Sequence, residues 1–416
     1  MSLFDIIAAF LCLVALVGWL NSRFLQLPSG VAMVLAGACG AGVLLALQGL
    51  GDLSAAADVA LTTLRRLDFP KTVLGYLLAF LLFAGAMQVD LGELRRRRLS
   101  VWSLATLGVL ASTFMVGGGL WLAARWLGLE LPLAWAFVFG ALISPTDPIA
   151  VLAVVRQGRL SKLLQSVLQG EALFNDGVGI VVFFAAVAVA SGGQDPQPVH
   201  AIVRVFVEAG GGLALGLVSG IVAVRAMRAI DDYAVEVSIT LGLAMGAYAA
   251  AQALHISGPI AAVAAGLIVG DGGTASAMSE TTRRYLQGFW TLIDEILNAL
   301  LFLMLGLELV VVGLNLRNAG FWLAAIGLVL AARLVVVLPW GAFFRRRHDE
   351  RGAIAILAWG GLHGALSLAL ALSLPATGYR DLILSTTYVV VLFSVAAQGL
   401  TFPWLAGRAT AKADAP

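Results

Sequence analysis

Long apolar runs almost without charge are the feature that most limits what this chain can become. Residues 319–342 hold one charged side chain, Arg333, and residues 177–193 hold none. Lipid offers no partner to backbone N–H and C=O groups, so a segment of this kind spans as a helix or as a strand of a closed barrel. Barrel strands alternate apolar and polar residues over about ten positions, and these runs do not alternate. Only 12% of the 416 residues are charged, against about 25% in soluble domains. The chain is therefore read as an all-α polytopic membrane protein.

Spans are read at 3–20, 30–48, 72–89, 100–124, 132–155, 164–190, 200–224, 234–255, 258–270, 289–312, 319–342, 353–374 and 383–405, about 13 in all. Residues 52–71 are too polar to span and are expected to form a short interfacial helix. Basic residues test the count, because they concentrate in cytoplasmic loops. The odd-numbered loops and the tail hold 18 of the 26, including Arg95–Arg98, Arg225, Arg228, Arg283, Arg284 and Arg345–Arg347. The even loops hold six. This alternation puts the N-terminus outside and the C-terminus in the cytoplasm of a multi-pass protein of the inner (plasma) membrane. The arginine clusters either fix that topology alone or also bind anionic lipid heads.

Residues 1–405 read as one membrane-embedded domain, and 406–416 as a short cytoplasmic tail. The first run lacks a basic leader and a small-residue cleavage site, so it reads as a retained span. Cys12 and Cys39 lie in apolar segments and suggest neither a disulfide nor a metal site. No nucleotide-binding glycine loop is present, so transport would draw on gradients. No cofactor, enzymatic role or nucleic-acid partner is expected.

Against this apolar background a few polar groups stand out. In Ser144-Pro145-Thr146-Asp147-Pro148, two prolines three residues apart should open the fifth span, since each removes a donor and clashes one turn back. Freed carbonyls and half-helix ends can meet a cation there. A simple kink, with Asp147 satisfied by freed amides, is the plainer alternative. In the sixth span Glu171 and Asn175 share a face, while Asp176 points to a neighbouring one above Ala172. A carboxylate at bilayer depth costs at least about 2.5–3.5 kcal/mol. Desolvation favours its neutral form, so a lone acid of this kind can trade a proton for a cation. An interhelical polar clamp is the other reading, and it weighs more for Glu171.

Arg333 needs a counter-charge, for which Glu171 is the nearest by chemistry, or else it snorkels to an interface. Three glycines surround His363 in Gly360-Gly361-Leu362-His363-Gly364, which invites a second broken helix seven spans after the first. Paired interruptions of this kind point to an inverted-repeat transporter, although glycines also serve close helix packing. His363 either titrates along the path or is a neutral, hydrogen-bonded core residue, the reading preferred. In the tenth span Asp294 and Asn298 share a face, and Glu308 is expected at the outer end in reach of water.

Pro145-Thr146-Asp147-Pro148 followed by Glu171-x-x-x-Asn175-Asp176 resembles the cation–proton antiporter-1 family of bacterial NhaP-type sodium–proton antiporters and their eukaryotic exchanger relatives. Leu81-Leu82-Phe83-Ala84-Gly85-Ala86-Met87-Gln88-Val89-Asp90-Leu91 looks like that family's third-span ending. Asn298–Phe302 with Gly306-Leu307-Glu308 looks like its tenth span. The resemblance covers nearly all of residues 1–405. It implies thirteen spans in inverted repeats, two broken helices crossing near mid-membrane, interleaved dimerisation and core subdomains, and a homodimer. It also implies a monovalent cation held at Asp147 and Asp176, with Thr146 and Asn175 beside them. Ser144, Glu171, Arg333 and His363 would support the site, Glu171 and Arg333 as a structural bridge. Asn175 stands where electrogenic relatives place a second aspartate, which fits exchange of one cation for one proton. Two departures bear on selectivity. Position 172 is alanine where archaeal members carry a serine that helps hold the ion, and position 363 is histidine where arginine is common.

The expected function is secondary antiport of a monovalent cation against H⁺ by alternating access, with Na⁺ as the main cation and Li⁺ or K⁺ as others. A K⁺/H⁺ antiporter of the same fold is the alternative. An intramembrane aspartyl protease lacks its Gly-x-Gly-Asp and Tyr-Asp signatures here, and a cation channel lacks a filter loop.

Overall fold

The computed structural model describes residues 3–47, 58, 61–62, 69–89, 91–147, 160–192, 198–270, 278–310, 312, 314–350 and 352–411. Each of the thirteen expected spans contains helix. We name them α1 (Leu3–Leu20), α2 (Ser29–Leu47), α3 (Phe69–Met87), α4 (Arg98–Trp126), α5 (Leu133–Ile143), α6 (Lys162–Ala190) and α7 (Pro198–Met227). Then come α8 (Tyr233–Ala253), α9 (Gly258–Ile268), α10 (Glu280–Leu307) and α11 (Ala319–His348). The twelfth span is two helices, α12 (Ala353–Trp359) and α13 (Ala365–Leu372). The last, α14, runs from Arg380–Phe393 through a π turn into Gly399–Ala411. Nine of the described helices are long and apolar enough to cross a membrane, and α5 and α9 are shorter apolar helices. Helix continues past residue 405, so that boundary falls inside α14. Most of the interfacial segment 52–71, Pro148 with the remainder of the fifth span, and Asp90 lie outside the described residues.

Local sequence explains where several helices begin. Ser161 accepts from the amide of Leu164 at 3.3 Å, Asp232 from Ala234 at 2.9 Å and Ser279 from Thr282 at 3.3 Å. Each satisfies one of the donors a helix start leaves free, a cap usually contributing about 1 kcal/mol. Interior packing follows from small residues. Gly37 on α2 and Gly306 on α10 meet backbone to backbone, and a Cβ on either would strike the other helix's main chain. Helix α4 lies on α5, α7 on α9, and α9 on α3.

The largest core cluster gathers α5, α13 and α14 and includes the fully buried Phe139, Leu142, Leu368 and Tyr388. The described helix of the fifth span and the second helix of the twelfth are thus held in the packed interior. Glu308 departs from its expected place in reach of water. It is only 7% exposed, because the turn Glu308–Val310 packs back onto α2.

Candidate functional site

Helix α5 stops at Ile143; Ser144 keeps helical backbone angles, and Pro145–Asp147 lie outside the helix, Pro145 having no N–H with which to continue it. The second interruption, Gly360–Gly364, separates α12 from α13. The two breaks meet. The Asp147 amide donates to the Leu362 carbonyl at 2.7 Å, and the two residues form an antiparallel bridge. Gly364 lies against the Asp147 carboxylate so closely that a Cβ there would collide with it. Gly179 on α6 likewise makes room for the Pro145 ring. Backbone groups freed by the breaks are thereby partly satisfied inside protein, the condition for tolerating irregular backbone at membrane depth.

Side chains lock this crossing in place. His363 is 5% exposed, and its Nδ1 lies 3.1 Å from the Pro145 carbonyl. A carbonyl only accepts, so Nδ1 carries the proton, and the ring ties one break to the other. The His363 amide donates to Ser394 Oγ at 2.9 Å, within the π turn of α14. Ser144 Oγ donates to the Gly140 carbonyl at 2.6 Å and lies 3.1 Å from Thr113 Oγ1. Ser144 therefore braces α5 against α4.

Glu171 and Arg333 form a buried, two-pronged ion pair. Nη1 bonds Oε1, and Nη2 lies 3.0 Å from Oε2. Arg333 Nε also donates to the Leu357 carbonyl of α12 at 3.1 Å. Fork-to-fork geometry of this kind holds both partners in one orientation. Arg333 is 7% exposed and does not snorkel. The pair clamps α6 to α11 and, through Leu357, to the second interrupted span.

Asn175, one turn after Glu171, donates from Nδ2 to Thr146 Oγ1 at 2.8 Å. Its buried Oδ1 has no partner within the protein. Beside it a void of about 20 Å³ reaches Glu171, Arg333 and His363, room for a single water. Asp176, the next residue, points about 100° around the helix from Asn175, onto a neighbouring face. It lines a cavity of about 120 Å³ together with Asp147, Thr146, Ala172 and Pro145. That volume suits a cation with part of its hydration. Helices α3 and α10 complete the wall, with Gln88, Asp294 and Asn298.

Thus Asp147, Thr146 and Asp176 meet at one cavity, Asn175 holds Thr146 from behind, and Glu171, Arg333, Ser144 and His363 form the frame. Asp294 and Asn298 stood out in the sequence as polar residues on one face, but their place on this cavity did not. Ser367, also on the wall, carried no sequence signal, since serines are common in packed membrane helices.

The family described as sodium/hydrogen exchanger, transmembrane, matches residues 11–408. A Na(+)/H(+) antiporter NhaP of Pseudomonas aeruginosa is 44% identical over 412 residues, spanning 97% of this chain and 96% of that one. A Na(+)/H(+) antiporter NhaH of Halobacillus aidingensis is 34% identical, spanning 91% of each. The structure of the sodium proton antiporter MjNhaP1 from Methanocaldococcus jannaschii at pH 8 aligns with a TM-score of 0.74 over 98% of both chains. At 20% identity that likeness establishes the fold. The chain belongs to the sodium/hydrogen exchanger transmembrane family.

Proposed function

We propose that this protein is a secondary antiporter that exchanges Na⁺ for H⁺ across the bacterial inner membrane by alternating access. The observation that carries the proposal is the meeting of Asp147 and Asp176 on one cavity at the crossing of two interrupted helices. A bare carboxylate in apolar surroundings is costly, so Asp176 is occupied in turn by a proton or by a cation. Both ligands stabilise the same group, and neither binds well while the other is present. That competition couples the two fluxes. Thr146 adds a hydroxyl and a carbonyl oxygen, and Asp147 adds charge.

Asn175 cannot ionise, and its amide is engaged in positioning Thr146. One proton and one cation then share the site, so the exchange is electroneutral. Orientation follows from the basic loops, with the N-terminus outside and the C-terminus in the cytoplasm. A homodimer completes the proposal, on the family resemblance.

Purified protein in liposomes, under an imposed pH gradient, tests this with a series of Li⁺, Na⁺, K⁺ and Rb⁺. Na⁺-dependent dissipation of the gradient supports it. Dissipation by K⁺ alone would reassign the cation, and dissipation by none would end the antiport reading.

A further inference from the structure

The wall of the cavity that holds Asp147 and Asp176 also carries groups that the exchange cycle does not yet use. Asp294, on α10, is a third acid lining the same space, and it is 7% exposed. Asn298, one turn on, donates to Asp294 Oδ1 at 2.9 Å, which fixes the carboxylate's orientation. Ser367, in α13, is 1% exposed, and its Oγ has no hydrogen-bond partner within the protein although it lines the cavity. A buried hydroxyl left without a partner costs about 1–3 kcal/mol, so an oxygen of this kind calls for an occupant.

Three acids around about 120 Å³ repel one another. None of the described residues lining the cavity is Lys, Arg or His, so a cation entering it meets carboxylates as the charged groups of that wall. Carboxylate, amide and hydroxyl oxygens are the donors that hard monovalent cations take up. Ala172 also lines the cavity and brings no oxygen of its own.

Resting on the antiport reading, we propose that Asp294 and Ser367 form a second cation-contact position in this cavity. There an alkali cation is held, directly or through its own water, before it passes to Asp176. Asp294 supplies the charge, Ser367 an oxygen, and Asn298 the orientation of the acid. The position sets affinity and selectivity, while exchange against the proton stays with Asp176.

The experiment is transport by the full chain in liposomes, with Na⁺ and Li⁺ titrated at fixed pH. Asp294→Asn keeps the shape and removes the charge. It should raise the apparent KM for Na⁺ about fivefold or more, with maximal rate within about twofold of wild type. Ser367→Ala should raise KM in the same direction and alter the Na⁺/Li⁺ ratio, with no change in the thermal unfolding midpoint. If Asp294→Asn fails to insert, Ser367→Ala alone decides. An unchanged KM in a folded variant, or a fall in maximal rate at constant KM, overturns the second position and leaves antiport standing. Loss of exchange by the wild-type protein itself would instead remove the reading beneath it.

Discussion

The backbone N–H of Asp147 donates to the carbonyl of Leu362 at 2.7 Å, and this bond joins the breaks of two helices more than 200 residues apart. A group on one interruption answers a group on the other, and His363 repeats the tie in the opposite direction through the Pro145 carbonyl. Two hydrogen bonds thus link the breaks directly, and Asp147 sits on one of them.

Gly364 tests the closeness of that crossing. A Cβ at this position collides with the Asp147 carboxylate. Gly364→Ala should destabilise the protein by roughly 1–3 kcal/mol through overpacking and cut exchange at least tenfold, because it displaces an acid of the proposed site. Thermal unfolding in detergent and exchange in liposomes measure the two effects. Wild-type values for both would mean that Asp147 does not rest where it is described.

Breaking the Glu171–Arg333 pair leaves one buried charge uncompensated. Arg333→Ala and Glu171→Gln should each cost about 3–5 kcal/mol, read as a large fall in the unfolding midpoint. Replacing both with apolar residues of similar volume should recover most of that loss. If the double variant is as unstable as the singles, the pair does more than clamp α6 to α11.

How much of this was legible beforehand follows from which residues look costly. Charges and prolines within apolar runs are anomalies, so Pro145, Asp147, Glu171, Asp176 and Arg333 announced themselves, and the basic loops ordered the spans. What joins distant segments was not legible. Nothing in Leu362 marks its carbonyl as the partner of Asp147, because any residue offers that group. The Arg333 counter-charge was open, since an arginine near a helix end can also reach water, and burial decided it. Glu308 shows the converse, a tertiary contact with α2 covering an end that the sequence leaves open.

The proposed competition at one carboxylate sets a pH dependence. Lower pH fills Asp176 with protons, so the apparent KM for Na⁺ should rise as pH falls. Where protonation dominates, it should rise about tenfold per pH unit, the signature of one competing proton. A steeper dependence would show that a second acid titrates with it.

The proposed electroneutrality makes a separate demand. With Asn175 unable to ionise, an imposed membrane potential should leave the rate of Na⁺/H⁺ exchange unchanged within measurement scatter. Clamping the potential with K⁺ and valinomycin at several values checks this, once K⁺ itself is shown not to be transported. A rate that follows the sign of the potential would require net charge movement and a second titrating group.

The most direct measurement compares wild-type protein with Asp176→Asn in the same liposomes under the same pH gradient. The variant keeps the volume of the side chain and loses the carboxylate that we propose protons and cations share. Wild-type protein should exchange Na⁺ for H⁺, and Asp176→Asn should show none above protein-free vesicles while remaining folded. Exchange by Asp176→Asn at the wild-type rate would contradict the central role given to that carboxylate.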